Sequence, residues 1–246
     1  MYERGWLLYI DSRRLQSLTR EAERTMSTIF FDSRVNAARR LVKALSRYRG
    51  HNPLVLAIPR GAVEMGRVIA DELGGDLDVV LVRKLRSPFN PEFAVGSLDE
   101  TGWTYVGEQA AAAGADAAFL EEEKRRQLDT LRKRRALYTP QRPPIDAKDR
   151  LVIVVDDGLA TGATMIAALH AARAKHPRRL VCAVPVAAPD SLERVRPYAD
   201  EIVCLDAPPE FYAVAQFYGE FHQVEDEEVT ALLNQPAKQP GEGAVR

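Results

Sequence analysis

Cysteine is scarce: Cys182 and Cys204 are the only two in 246 residues. Each lies inside an apolar run, so buried free thiols in a reducing compartment are expected, and neither a disulfide framework nor a cysteine-built zinc or iron centre is indicated. Charge of one sign is also lacking. The 34 Lys and Arg face 35 Asp and Glu, a formal net charge of -1, which removes the electrostatic reason to expect nucleic acid or a membrane surface as a partner. Long apolar runs are missing: LVIVV and LVCAVPVAAP fall far short of the ~20 residues needed to span a bilayer. The N-terminal stretch MYERGWLLYIDSRR has a brief apolar patch followed by charges, unlike a secretory leader, so a cytoplasmic protein is expected. Of the four histidines, His51, His170 and His176 show no ligand spacing, and His222 lies near a C-terminal aromatic cluster.

What is present is an ordinary globular composition, 46% hydrophobic and 28% charged, on a chain long enough to bury a full core. Apolar runs at residues 54–58, 78–84, 151–157, 180–186 and 201–207 are β-branched and lack polar alternation, as strands covered on both faces do. Helical patterns fall between them at 34–48, 62–73, 162–175 and 190–198. Strands alternating with helices predict an α/β fold with an open, mostly parallel sheet flanked by helices. Ligands of such sheets bind beyond the carboxyl ends of the strands, so IPRGA, RKLRSPFNPEF and DDGLATGAT mark the candidate sites.

Residues 86–146 break this rhythm with a Pro-punctuated loop, a hairpin signal around FAVGSLDETGWTYVG, and a charged helical pattern from Asp116 to Tyr138. The helix carries a thin apolar stripe, Leu120, Leu128, Leu131 and Tyr138, and is expected on the surface or against a second subunit. Its basic cluster, Arg132, Lys133, Arg134 and Arg135, reads as a solvated face in preference to a phosphate or RNA site. Residues 1–26 read as an N-terminal extension, with Met26 a natural opening of the folded unit; 27–234 form the domain, and 235–246 read as a disordered Pro- and Gly-rich tail.

The stretch LVIVVDDGLATGAT, residues 151–164, carries the chemistry. Gly158 and Gly162 allow tight or left-handed backbone. The amides from Leu159 to Thr164 then open toward a helix N-terminus, where unsatisfied donors and the dipole favour an anion such as phosphate. Thr161 and Thr164 add hydroxyls. Asp156 and Asp157 would repel a phosphate, so they suit a neighbouring group such as a sugar cis-diol; a phosphate beside a diol describes ribose 5-phosphate. The string fits neither the GxxxxGK[ST] loop nor GxGxxG. Taken alone, DDG would equally be a turn and cap.

This string resembles the phosphoribosyl-pyrophosphate (PRPP) motif of the type I phosphoribosyltransferases, an apolar strand followed by two acids, a short turn and TGxT. The chain is similar to a bacterial branch of unassigned substrate, through AIPRGAVEMG, VRKLRSPFNPEFAVGSLDE and FYAVAQFYGEFHQV. The resemblance implies that Asp156 and Asp157 hold the ribose hydroxyls while Gly158, Leu159, Ala160, Thr161, Gly162, Ala163 and Thr164 wrap the 5-phosphate. It assigns Arg60 and Gly61 in PRGA, together with Lys84 and Arg86, to the pyrophosphate; as plain sequence, PRGA is also an ordinary strand-to-helix turn. Asp156, Asp157 and Lys84 form the implied catalytic set. SPFNPEF would close over the site, and a hood at 207–234 would cover the acceptor through Phe211, Tyr212, Phe217 and Tyr218, unless these rings form a satellite core. Mg²⁺ is implied as cofactor, carried mainly by substrate oxygens, with no metal-ligating residues of the protein assigned. PRPP and a heterocyclic nitrogenous acceptor are implied as substrates, and a homodimer as the assembly. Ala160 replaces a third acid that many purine-salvage members carry, which weakens a hypoxanthine or guanine assignment and keeps a non-catalytic PRPP or nucleotide sensor as the alternative.

Overall fold

The computed structural model describes residues 31–90, 93–140 and 142–235; the expected extension at 1–26 and all but the first residue of the expected tail lie outside these. The strands β1 (Leu54–Ala57), β2 (Asp76–Val79), β6 (Leu151–Val155), β7 (Arg179–Val186) and β8 (Glu201–Asp206) build one sheet in the order β2-β1-β6-β7-β8. All four pairings are parallel. The unbroken apolar character of the central strands has a direct cause. Val55, Ala57, Ile153 and Val155 point into one core, while Leu54, Leu56, Val152 and Val154 point into another on the opposite face. With both faces covered, neither set of alternate positions can be polar.

Helices α1 (Arg34–Ala44) and α2 (Ala62–Leu73) cover the first face, and α4 (Ala163–Arg173) the second. Ser33 caps α1 by accepting from the amide of Asn36, satisfying one of the orphan donors of its first turn. The run expected as one strand at 78–84 is instead divided between two sheets. β2 stops at Val79, and β3 (Val82–Arg86) pairs antiparallel with β4 (Ala94–Asp99), which pairs with β5 (Thr104–Val106). Val79, Val80 and Leu81 are all buried at the crossover, so hydrophobicity runs straight through the point where the chain changes sheet. The second sheet rests on α4, where Ser97 Oγ donates to the Ala163 carbonyl at 2.7 Å.

The charged helix α3 (Ala117–Tyr138) is fastened to its own chain. Leu131 and Tyr138 are fully buried, and the Tyr138 hydroxyl donates to Asp226 at the start of α6 (Asp226–Asn234). In the basic cluster, Arg135 forks onto Glu100 at 3.0 and 2.9 Å and reaches the buried Asp78, a structural use of the charge. The short α5 (Pro189–Val195) follows β7. Among the described residues no helix is long and apolar enough to cross a membrane.

Candidate active site

The carboxyl ends of β1 and β6 and the facing strand β3 open onto one cleft of about 270 Å³. Its floor is Asp156 and Asp157, just beyond β6. One wall is the turn from Gly158 to Thr164, the other is Arg60 and Gly61 after β1, and Lys84 reaches in from β3. Lys84 and Arg86 lie on one exposed face of β3 with Leu85 buried between them, yet only Lys84 lines the cleft. A register shift between Leu85 and Arg86 accompanies the difference.

The turn is held from behind. The Leu159 amide donates to the Val186 carbonyl at 2.9 Å and its side chain is buried, so this amide is committed to the sheet and is not turned to a ligand. Ser191 Oγ donates to the Ala160 carbonyl at 2.7 Å. The donors left for an anion are those at the start of α4, whose first-turn amides have no intrahelical acceptor. Gly162 stands at the helix start with φ +78°, a left-handed conformation that only glycine adopts cheaply. A Cβ there would also meet Val195 at 3.1 Å. Gly162→Ala is therefore expected to cost about 1–2 kcal/mol of stability, read as a lowered Tm in a thermal melt.

Each aspartate has one oxygen engaged by the protein. Asp156 Oδ1 accepts from the Asp157 amide at 2.9 Å. Asp157 Oδ2 accepts from Arg34 Nε at 3.0 Å, and the buried Tyr218 hydroxyl donates to the Asp157 carbonyl at 2.7 Å. Among the described residues no side-chain donor reaches Asp156 Oδ2 or Asp157 Oδ1, and both aspartates line the cleft. Burial, then the adjacent Asp157 charge, hold the Asp156 carboxyl well above the ordinary carboxylate range, with Lys84 and Arg34 pulling the other way. Burial also raises Asp157, opposed first by Arg34. The pair is a half-buried acidic floor beside Lys84 whose ionisation burial opposes, so a ligand that brings hydroxyl donors or positive charge favours its charged form.

Arg60 is steadied by Glu225 at 2.8 Å, and the peptide joining it to Pro59 is cis. The aromatic hood differs from expectation. Phe217 and Tyr218 are buried, with Phe217 against Phe211 and Tyr218 between Phe31 and Phe221. Their ring faces are used up in packing and are not presented to a planar acceptor. Phe211 is partly buried against the same core, Tyr212 is 86% exposed, and neither lines the cleft; Val214 does. His222 contributes its carbonyl, not its ring, by accepting from Arg34. Arg34 itself had no signal in the sequence, since it stands 123 positions from Asp157 at the start of an ordinary amphipathic helix.

The family model described as phosphoribosyl transferase domain matches residues 31–221. Two proteins of Mycobacterium tuberculosis, both called "Putative phosphoribosyl transferase" (MT0597 in strain CDC 1551 and Rv0571c in strain H37Rv), are 40% identical over 205 residues, 83% of this chain and 46% of theirs. The chain thus spans about half the length of these curated relatives. The crystal structure of TT1426 from Thermus thermophilus is similar at 45% identity and a TM-score of 0.71, over 83% of this chain and 98% of that one.

Proposed function

The chain belongs to the phosphoribosyl transferase domain family, and on that premise we propose that it transfers the phosphoribosyl group of PRPP to a nitrogenous, heterocyclic acceptor with release of pyrophosphate. The observation that carries this reading is the convergence of helix-start amides, paired carboxylates, Arg60 and Lys84 on one cleft. Amides at 160–164 with the hydroxyls of Thr161 and Thr164 bind the 5-phosphate. Asp156 and Asp157 accept from the 2- and 3-hydroxyls. Arg60, Lys84 and the amides beside Gly61 take the pyrophosphate.

As the bond from C1 to the pyrophosphate oxygen breaks, the electron pair leaves with the pyrophosphate and positive charge grows on the ribose. By accepting from the ribose hydroxyls the carboxylates stabilise that charge, and Lys84 stabilises the leaving group. The acceptor nitrogen then gives its electron pair to C1 to form the new bond, and any proton that nitrogen carried passes to solvent or to the released pyrophosphate. Among the described residues no group of three or more His, Cys, Asp or Glu could hold a metal ion. When bound with PRPP, Mg²⁺ supplies neutralisation of the pyrophosphate charge.

Incubating the protein with Mg²⁺, PRPP and a panel of nitrogenous heterocycles, and following pyrophosphate release, tests the reading. Acceptor-dependent release is expected; PRPP binding without release on every acceptor would favour a sensor instead. Lys84→Met is expected to weaken pyrophosphate binding by about tenfold to a hundredfold, the loss of a charge-assisted contact, and to leave ribose 5-phosphate binding near wild type in parallel calorimetric titrations.

A further inference from the structure

Arg34 is a fully charged side chain on the first residue of α1, outside the turn, the acids and the strand that make the cleft, yet it is 5% exposed. Its guanidinium has three engagements at once. Nε donates to Asp157 Oδ2 at 3.0 Å, Nη1 donates to the His222 carbonyl at 2.8 Å, and Cζ lies over the Phe221 ring, 3.9 Å from its centroid. Gly61 leaves room for it: a Cβ there would stand 2.9 Å from both Nε and Nη2. A guanidinium has the fork of fixed donors to do this, whereas an ammonium does not.

A buried arginine bound to one oxygen of a cleft carboxylate fixes the direction of the other. From this geometry we infer that Arg34 is a positioning residue that aims Asp157 Oδ1 at the ribose hydroxyls and ties that aim to the C-terminal segment at 221–222. The inference rests on the reading that the cleft binds a phosphorylated ribose. Arg34 itself touches no reacting atom; it acts through Asp157. The charged and titratable groups around that carboxylate are Asp156 beside it, Lys84 from β3, Arg34 from α1 and the Tyr218 hydroxyl from the C-terminal segment.

The test compares ribose 5-phosphate with 2-deoxyribose 5-phosphate, which differ in one of the hydroxyls the carboxylates would accept. Calorimetric titrations of the full chain, of Arg34→Gln and of Arg34→Lys give the ratio of the two affinities, and thermal melts verify that each variant is folded. Wild type is expected to prefer ribose 5-phosphate by about tenfold or more, the worth of one hydrogen bond to a charged group. Arg34→Gln should keep phosphate-dependent binding and lose most of that preference, with Arg34→Lys intermediate. Combined with Asp157→Asn, Arg34→Gln should remove no further preference. A folded Arg34→Gln that discriminates as well as wild type overturns the inference.

A second readout does not depend on the ligand. Carbon-13 NMR of carboxyl-labelled aspartate, with Asp157→Asn for assignment, follows the Asp157 titration in wild type and in both Arg34 variants. Removing a cation in contact is expected to move that titration upward by about one pH unit or more, less in Arg34→Lys. If wild type binds neither sugar phosphate, the ribose reading fails and this titration decides alone: an upward move supports the hold of Arg34 on Asp157, and an unmoved Asp157 refutes it.

Discussion

Asp156→Asn is expected to weaken PRPP binding by about tenfold to a hundredfold while raising the Tm of the ligand-free protein by about 2–4 °C, the shift that ~1 kcal/mol makes in a chain of this size. The opposing signs share one cause. Burial and the adjacent Asp157 charge penalise the ionised Asp156 carboxyl in the fold, and that penalty is relieved only when a ligand offers hydroxyls or positive charge. Asparagine keeps the shape and one acceptor but carries no charge. The pH dependence has a definite sign. Because the folded pKa lies above the unfolded one, the penalty is full at pH values above the folded pKa and disappears below the unfolded pKa, where the carboxyl is protonated in both states. The stability gain of Asp156→Asn should therefore shrink as pH falls through the carboxylate range. Adding Asp157→Asn should abolish measurable PRPP binding in calorimetry with an unchanged far-ultraviolet circular dichroism spectrum. That second change also strands Arg34, so the double variant should be less stable than Asp156→Asn alone.

Gly61→Ala is expected to weaken PRPP binding by more than tenfold although the backbone tolerates alanine. Gly61 has φ -56°, which suits any residue. The obstacle is space, since a Cβ would stand 2.7 Å from Asp157 Oδ2 and 2.9 Å from two nitrogens of Arg34. Arg34 cannot swing aside cheaply, because Phe221 and the His222 carbonyl hold it. The added methyl thus prises apart the Arg34–Asp157 pair and turns Asp157 away from the cleft, at an overpacking cost of about 1–3 kcal/mol. Calorimetric titration with PRPP and a thermal melt check both parts; an unaltered affinity would show that the contact between these three residues has no bearing on binding.

The parts of this protein that sequence reveals are those governed by local rules. The bounds expected for α2, 62–73, are the bounds observed, because an amphipathic stripe lies between a turn and the left-handed Gly74 at the helix end. The acids and the glycine turn were legible for the same reason: Asp156 through Thr164 are contiguous, and the chemistry of a strand-to-helix turn depends on neighbours in the chain. Long-range arrangements were not legible. The change of sheet after Val79 is invisible to hydrophobicity because the crossover is as buried as the strands. The fates of Phe217 and Tyr218 depend on whether Phe31, Phe211 and Phe221 arrive against them, and composition shows an aromatic ring without showing which face is covered. The engagement of Asp157 by Arg34 has no sequence signature at all, as it joins the first turn of one helix to the end of a distant strand.

In the proposed binding mode, paired carboxylates and the amides at the start of α4 together hold a ribose and its 5-phosphate. A crystal structure of the protein soaked with ribose 5-phosphate tests it most directly. Phosphate density is expected against the amides at 160–164, with the sugar hydroxyls within hydrogen-bonding distance of Asp156 and Asp157. Ordered ligand at another place on the molecule, with only solvent between Asp156 and Thr161, would contradict it.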